Sequence, residues 1–257
     1  MCISRRYQNL VQLTSLTGPQ LSALVVRVAA ALPPTTGRPW KLSLTDRILV
    51  TCAAVRTNLT TRALAAVFRI SQAMVVRVLR HLLPVLAGLP RSRHRPGHGR
   101  RCTWIIDGTL IPAHDQQRAA PSKNYRRSVN LQVVVRRCDR SVVAAGVAWP
   151  GNRNDIVVAR AQPGLLAAAP RQILGDGAYR SLPGVTTPTR HQNGRIIRDD
   201  AWRRHRRRRA TVEHVIARLK DWQMLRQIRR RGDQIDHVIG AAVAIYNHRL
   251  DQLRLNS

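Results

Sequence analysis

At 257 residues the chain can bury an ordinary core, and two unequal units are expected rather than one. Its 44 Lys and Arg against 13 Asp and Glu leave a formal charge of +31, a surplus that repels itself unless a polyanion offsets it; nucleic acid is therefore the expected partner. Only Lys41, Lys123 and Lys220 are lysines, so codon bias accounts for Arg over Lys but not for the shortage of acids. Long apolar segments set aside a ribosomal or nucleoid-packing protein. No apolar run reaches membrane-spanning length and "MCISRRYQNL" has no signal-peptide core, so a soluble, cytoplasmic, nucleoid-associated protein with no membrane partner is expected. Cys2, Cys52, Cys102 and Cys138 stand alone, which predicts neither a disulfide framework nor a structural zinc.

In chain order, "LTGPQLSALVVRVAAAL" (16–32) predicts a short amphipathic helix closed by Pro33 and Pro34. Residues 1–42 thus form an N-terminal helical extension. Region 43–87 follows with three helices: "SLTDRILVTCAAVRTN" with Ser43 or Thr45 as N-cap, the short "TTRALAAVF", and "SQAMVVRVLRHLLPVL" capped by Ser71. In the third, Val75, Val78, Leu79, Leu82, Leu83 and Leu86 make one apolar stripe, and Gln72, Ala73, Val76, Arg77 and Arg80 lie opposite. The short helix and the three-residue joint "RIS" have helix-turn-helix spacing, which points to DNA read by Gln72, Arg77 and Arg80; an ordinary three-helix bundle is the competing reading.

"GLPRSRHRPGHGRR" (88–101) has no periodicity and reads as a basic linker, His94 and His98 included. Across 102–257 the pattern becomes α/β: strands at "CTWIIDGTLIP", "LQVVVRRC" and "SVVAAGVAWP", a helix over "NDIVVARAQPGLLAAA", and a strand at "QILGDGAY". The interval 180–208 reads as loop, followed by the helix of Glu213 and a final helix, "QIDHVIGAAVAIYNHRLDQL".

Acids are scarce enough for their positions to carry information. Asp107 and Asp176 each follow an apolar run at an expected strand end, where open α/β sheets gather functional groups, and each precedes a Gly that admits close approach. On the Glu213 helix, Val212, Val215, Ile216, Leu219 and Trp222 form the apolar stripe, while Arg209, Glu213 and Lys220 share a neighbouring face. If that helix lies beside the first and fourth strands, three carboxylates meet. They would repel one another unless hard divalent cations occupied the cluster, and two Mg²⁺ or Mn²⁺ ions held by Asp107, Asp176 and Glu213 suit cleavage of a phosphodiester.

"IIDGTLIP", "PGNRND", "LGDGAY" and "RATVEHVIARLK" together resemble the DDE-superfamily transposases of bacterial insertion sequences, of the insertion-sequence-five type with Harbinger-like relatives. The resemblance implies a ribonuclease-H-like core preceded by an all-α helix-turn-helix region. It also implies binding of terminal inverted repeats and target DNA by a homo-oligomer, and Mg²⁺-dependent cutting and joining. Carried over by residue, Asp107, Asp176 and Glu213 are the three carboxylates, with Arg209 and Lys220 as phosphate contacts. The family's Tyr is replaced by Arg206, and its His before Asp155 by Asn154. Asp155 is the auxiliary or alternative second carboxylate, though an acid at a helix start also suits the helix dipole. Arg203, Arg204 and Arg206 are expected to meet phosphates without reading sequence. Two competing functions are a pure DNA-binding module, a repressor or nucleoid protein with a decayed catalytic domain, and another metal-dependent nuclease, such as an RNA-processing enzyme, on the same core.

Overall fold

The structure, a computed structural model, describes residues 4–34, 39–90, 102–167 and 173–255. Among the described residues the α-helices are α1 (Gly18–Ala31), α2 (Leu44–Thr57), α3 (Thr61–Phe68), α4 (Gln72–Ala87), α5 (Asp155–Arg160), α6 (Asp200–Leu219) and α7 (Gln234–Leu255). The strands among the described residues are β1 (Trp104–Pro112), β2 (Ser128–Arg136), β3 (Val142–Ala145), β4 (Trp149–Pro150), β5 (Ile173–Leu174) and β6 (Val185–Thr186). Two compact units divide the chain: Met1–Arg91 with Leu219–Ser257, and Ser92–Arg218.

The first unit is helical, and short polar caps start its helices. Thr17 and Gln20 cap α1 reciprocally, each side chain accepting the other's backbone N–H, while Ser43, Thr60 and Ser71 accept from Asp46, Ala63 and Met74. Asn58 and Arg69, both with positive φ, end α2 and α3 in the left-handed conformation that turns the chain sharply. The α4 stripe Val75, Val78, Leu79, Leu82, Leu83 and Leu86 is buried as the periodicity requires. It packs against α2 and α7, with Gly240 of α7 against Ala87. The final helix, read above within 102–257, therefore completes the N-terminal unit. A 3-10 helix over Arg5–Thr14 was not anticipated; its Tyr7 hydroxyl donates to the Phe68 carbonyl at 2.9 Å.

The second unit is built on a mixed sheet of order β3-β2-β1-β5-β6, with β4 also pairing β2. β1 and β2 pair antiparallel over nine residues, and β1 pairs parallel with β5 at Trp104↔Ile173 and Ile105↔Leu174. Trp104, Ile106, Val134, Ala144, Ile173 and Tyr179 are buried together in its core. Several expectations are corrected. The third expected strand splits into β3 and β4, and the helix begun at Asp155 stops at Arg160, where Pro163 opens a separate 3-10 turn. The interval 180–208 is not all loop: it holds β6, and α6 already begins at Asp200, with the Asp199 carboxylate accepting from the Trp202 N–H at 2.8 Å. Cys102 and Cys138 form a disulfide, against the reading of isolated cysteines, because the β1–β2 register carried two residues further sets them opposite each other. Most of the expected linker 88–101, with His94 and His98, lies outside the described residues.

Candidate active site

Asp107 is the fourth residue of nine in β1, not its last, because β2 continues to pair with β1 as far as Pro112. The shorter β5 stops at Leu174, opposite Ile105, so the parallel register carried two residues on places Asp107 opposite Asp176. Asp176 leaves the strand in extended conformation and caps the following 3-10 turn, its Oδ1 accepting from the Ala178 N–H at 2.8 Å. Asp155, first residue of α5, reaches back over β1: its Oδ1 accepts from Asn130 Nδ2 at 2.8 Å and Gln132 Nε2 at 2.9 Å. Gly108 makes this approach possible, since a Cβ there would lie 2.2 Å from the same Asp155 oxygen.

Burial raises the Asp107 pKa from 3.8 to about 6. The Arg209 guanidinium and the Gly108 N–H oppose the rise, and the charges of Asp176 and Asp155 add to it. Asp107, Asp155 and Asp176 therefore lie within electrostatic reach of one another. Arg209, from α6, places Nη2 3.3 Å from Asp107 Oδ2, while its Nε is buried without a partner among the described residues.

Glu213, one turn after Arg209, is exposed and lines an open cleft of about 410 Å³ together with Asp176, Arg190, Trp202, Arg206 and Arg209. Trp202 is flanked by guanidinium groups, Arg206 at 5.6 Å and Arg198 at 5.7 Å from its ring centre. Among the described residues, no three His, Cys, Asp or Glu side chains are gathered closely enough to hold a metal as they stand.

α6 ends at Leu219, so Lys220 directly follows the helix of Arg209 and Glu213 and falls in the first unit. Its pKa is lowered by burial and by the Arg226 charge. Trp222 likewise leaves the expected α6 stripe and is buried in the first unit, against Tyr246 and Arg56. Arg203 and Arg204 are exposed on α6, Arg203 paired with Asp200 at 2.7 Å.

In the first unit α3 and α4 meet at 107°, within the range of helix-turn-helix pairs. Gln72, Arg77 and Arg80 are exposed on α4, opposite its buried stripe. Gln72 Nε2 donates to Thr61 Oγ1 at 3.0 Å, and Arg77 Nη2 lies 3.9 Å from the Met74 sulfur. Among the described residues no single helix is long and apolar enough to cross a membrane. Three features escaped the sequence reading: Trp202 with its arginines, Arg190, and the polar pair Asn130 and Gln132. The last had a signal, two amides at i and i+2 in an otherwise apolar strand, and therefore on one face.

An all-α helix-turn-helix unit together with a mixed α/β unit whose adjacent parallel strands each deliver an aspartate defines a class of DNA-acting protein built on a ribonuclease-H-like core. Residues 98–248 match the family described as the transposase DDE domain, and residues 40–92 the helix-turn-helix of DDE superfamily endonucleases. Over 216 residues, 82% of either chain, the sequence is 39% identical to the protein of Streptomyces albus G assigned as transposase for insertion sequence element IS112. The chain belongs to the DDE-superfamily insertion-sequence transposases.

Proposed function

We propose that the protein binds the terminal inverted repeats of its element through α4 and cuts and joins DNA at Asp107, Asp176 and Glu213, which hold divalent cations, two Mg²⁺ or Mn²⁺ ions in the full site. The observation that carries the reading is the parallel register of β1 and β5, which carried two residues past the end of β5 brings Asp176 alongside Asp107, with α6 delivering both Arg209 to Asp107 and Glu213 to the cleft beside Asp176. The donor set fits the cations. All three side chains offer carboxylate oxygens, the ligands preferred by hard divalent ions, and the raised pKa of Asp107 is that of a carboxyl whose burial outweighs the Arg209 charge beside it. Cations of this kind supply charge for the phosphate oxygens and favour deprotonation of water or a 3′-hydroxyl.

The chain's own residues do the rest. Arg209 pairs with Asp107, and its position at the cleft suits it to take a phosphate oxygen of DNA. Arg190 and Arg206 line the same cleft, and Arg203 and Arg204 extend the positive face of α6, where they hold the backbone without reading it. Two copies acting on paired element ends, in the bacterial nucleoid, complete the reading; Lys220, at the end of α6, is assigned to phosphate contact only. The test is a duplex carrying an element end, incubated with protein and Mg²⁺. Release of a 3′-hydroxyl end and its joining to a second duplex are expected. Hydrolysis without joining would favour a simple nuclease, and binding without either would favour a repressor.

A further inference from the structure

Beneath the three aspartates lies a chain of uncharged polar side chains to which the proposed chemistry gives no part. Gln132 faces Gly108 across the β1–β2 ladder and is wholly buried. Its Nε2 donates to Asp155 Oδ1 and to Asn130 Oδ1, both at 2.9 Å, and its Oε1 accepts from the Tyr179 hydroxyl. Asn130, also buried, donates from Nδ2 to Asp155 Oδ1 at 2.8 Å and to the Arg153 carbonyl at 3.0 Å. Tyr179, buried below the sheet end, donates its backbone N–H to the Asp176 carbonyl at 3.2 Å.

Two amides and a phenol inside a sheet cost free energy unless each group is paired, and when paired they rigidify what they touch. Packing alone does not ask for them, since Val129, Val133, Val134 and Val135 fill the neighbouring positions of β2. Both N–H groups and the carbonyl of Gln132 are engaged, which fixes the orientation of its amide. Asp155 receives two bonds on one oxygen, which fixes where the other one points. The network runs from Asp155 through Gln132 to Tyr179 and ends in the turn of Asp176.

We propose that Gln132 is the positioning residue of the acidic centre, with Asn130 and Tyr179 completing the device. Together they present Asp155 as a fourth carboxylate beside Asp107 and hold it in fixed relation to Asp176. The proposal rests on the metal-binding reading of Asp107, Asp176 and Glu213.

The experiment measures Mn²⁺ affinity by electron paramagnetic resonance, together with nicking of supercoiled plasmid and DNA affinity, for Gln132→Met, Tyr179→Phe, Asp155→Ala and Asp107→Asn in the full chain. Gln132→Met keeps the volume of the side chain and removes its hydrogen bonds; Tyr179→Phe removes one hydroxyl. Each is expected to weaken Mn²⁺ binding about tenfold and to slow nicking at unchanged DNA affinity, as groups that orient metal ligands do. Asp155→Ala is expected to lose at least as much. Should Gln132→Met fail to fold, Tyr179→Phe and Asp155→Ala decide. Wild-type Mn²⁺ affinity in these variants, with a loss in Asp107→Asn, overturns the positioning device alone. Wild-type affinity in Asp107→Asn as well overturns the site on which it rests.

Discussion

Replacing Asp107 by Asn should make the metal-free protein more stable as pH rises, while removing its nuclease activity. The Asp107 pKa is about 6 in the fold against an ordinary 3.8, so the folded state holds this proton over a range in which the unfolded chain has released it. Stability therefore falls as pH rises through that window and is lowest, for this group, above about pH 6. A gap of this size corresponds to about 3 kcal/mol at ~1.4 kcal/mol per pH unit. Asparagine keeps the shape and cannot ionise. It also leaves Arg209, 3.3 Å away in the parent, without its carboxylate, an offset that changes little with pH. The clean quantity is the pH-dependent part of the difference. In urea unfolding with EDTA, the advantage of Asp107→Asn over the parent should grow by about 2–3 kcal/mol between pH 4 and pH 7.5. Parallel stability profiles for the two proteins would refute the argument that Asp107 is held as a poorly solvated carboxyl.

Glu213→Gln should abolish strand cleavage in Mg²⁺ and leave DNA affinity equal or higher, since it removes one negative charge from a surface that meets phosphates; retained cleavage by the purified variant rejects its role. Gly108→Ala should destabilise the fold and disable cleavage, because the new methyl would lie 2.2 Å from Asp155 Oδ1; a wild-type melting temperature and rate would contradict the close approach. Gln72→Ala or Arg77→Ala should cost about 1–3 kcal/mol of discrimination between inverted-repeat and scrambled duplexes, with no change for either if α4 does not read bases. Neutralising Arg203, Arg204 and Arg206 together should weaken binding to every sequence and flatten the dependence of log affinity on log salt by about 3, and an unchanged slope would remove α6 from the DNA contact.

How far the fold was legible depends on the range of the interaction concerned. The α4 stripe and the Ser43 and Ser71 caps are local and follow directly from spacing and side-chain chemistry. Asp107 and Asp176 were visible because each ends an apolar run and precedes Gly, yet Asp107 proved to be mid-strand, since the length of β1 is set by its antiparallel partner β2. The run of arginines before Arg208 read as loop by composition. In the structure Arg203, Arg204, Arg206 and Arg207 are exposed on a helix whose start is marked by Asp199, and the guanidinium groups of Arg206 and of Arg198, just before the helix, rest on Trp202. The Cys102–Cys138 pair is fixed by strand register across 36 residues, which no local pattern encodes. Asp155 was marked as an alternative from its motif, but what orients it, two amides on β2, becomes visible only when the strands are laid side by side.

The path of the chain has a consequence for its synthesis. The unit bearing α4 is discontinuous, closed by α7 only after residues 92–218 have been made. A nascent chain can therefore have its α/β unit complete while the apolar face of α4 still waits for a covering helix. Chains that end before Gln234 lack the helix that covers α4, so their helical unit has an unfinished core and is expected to be degraded readily. The order of segments along the chain thus makes the helical unit, although begun first, the last to be completed.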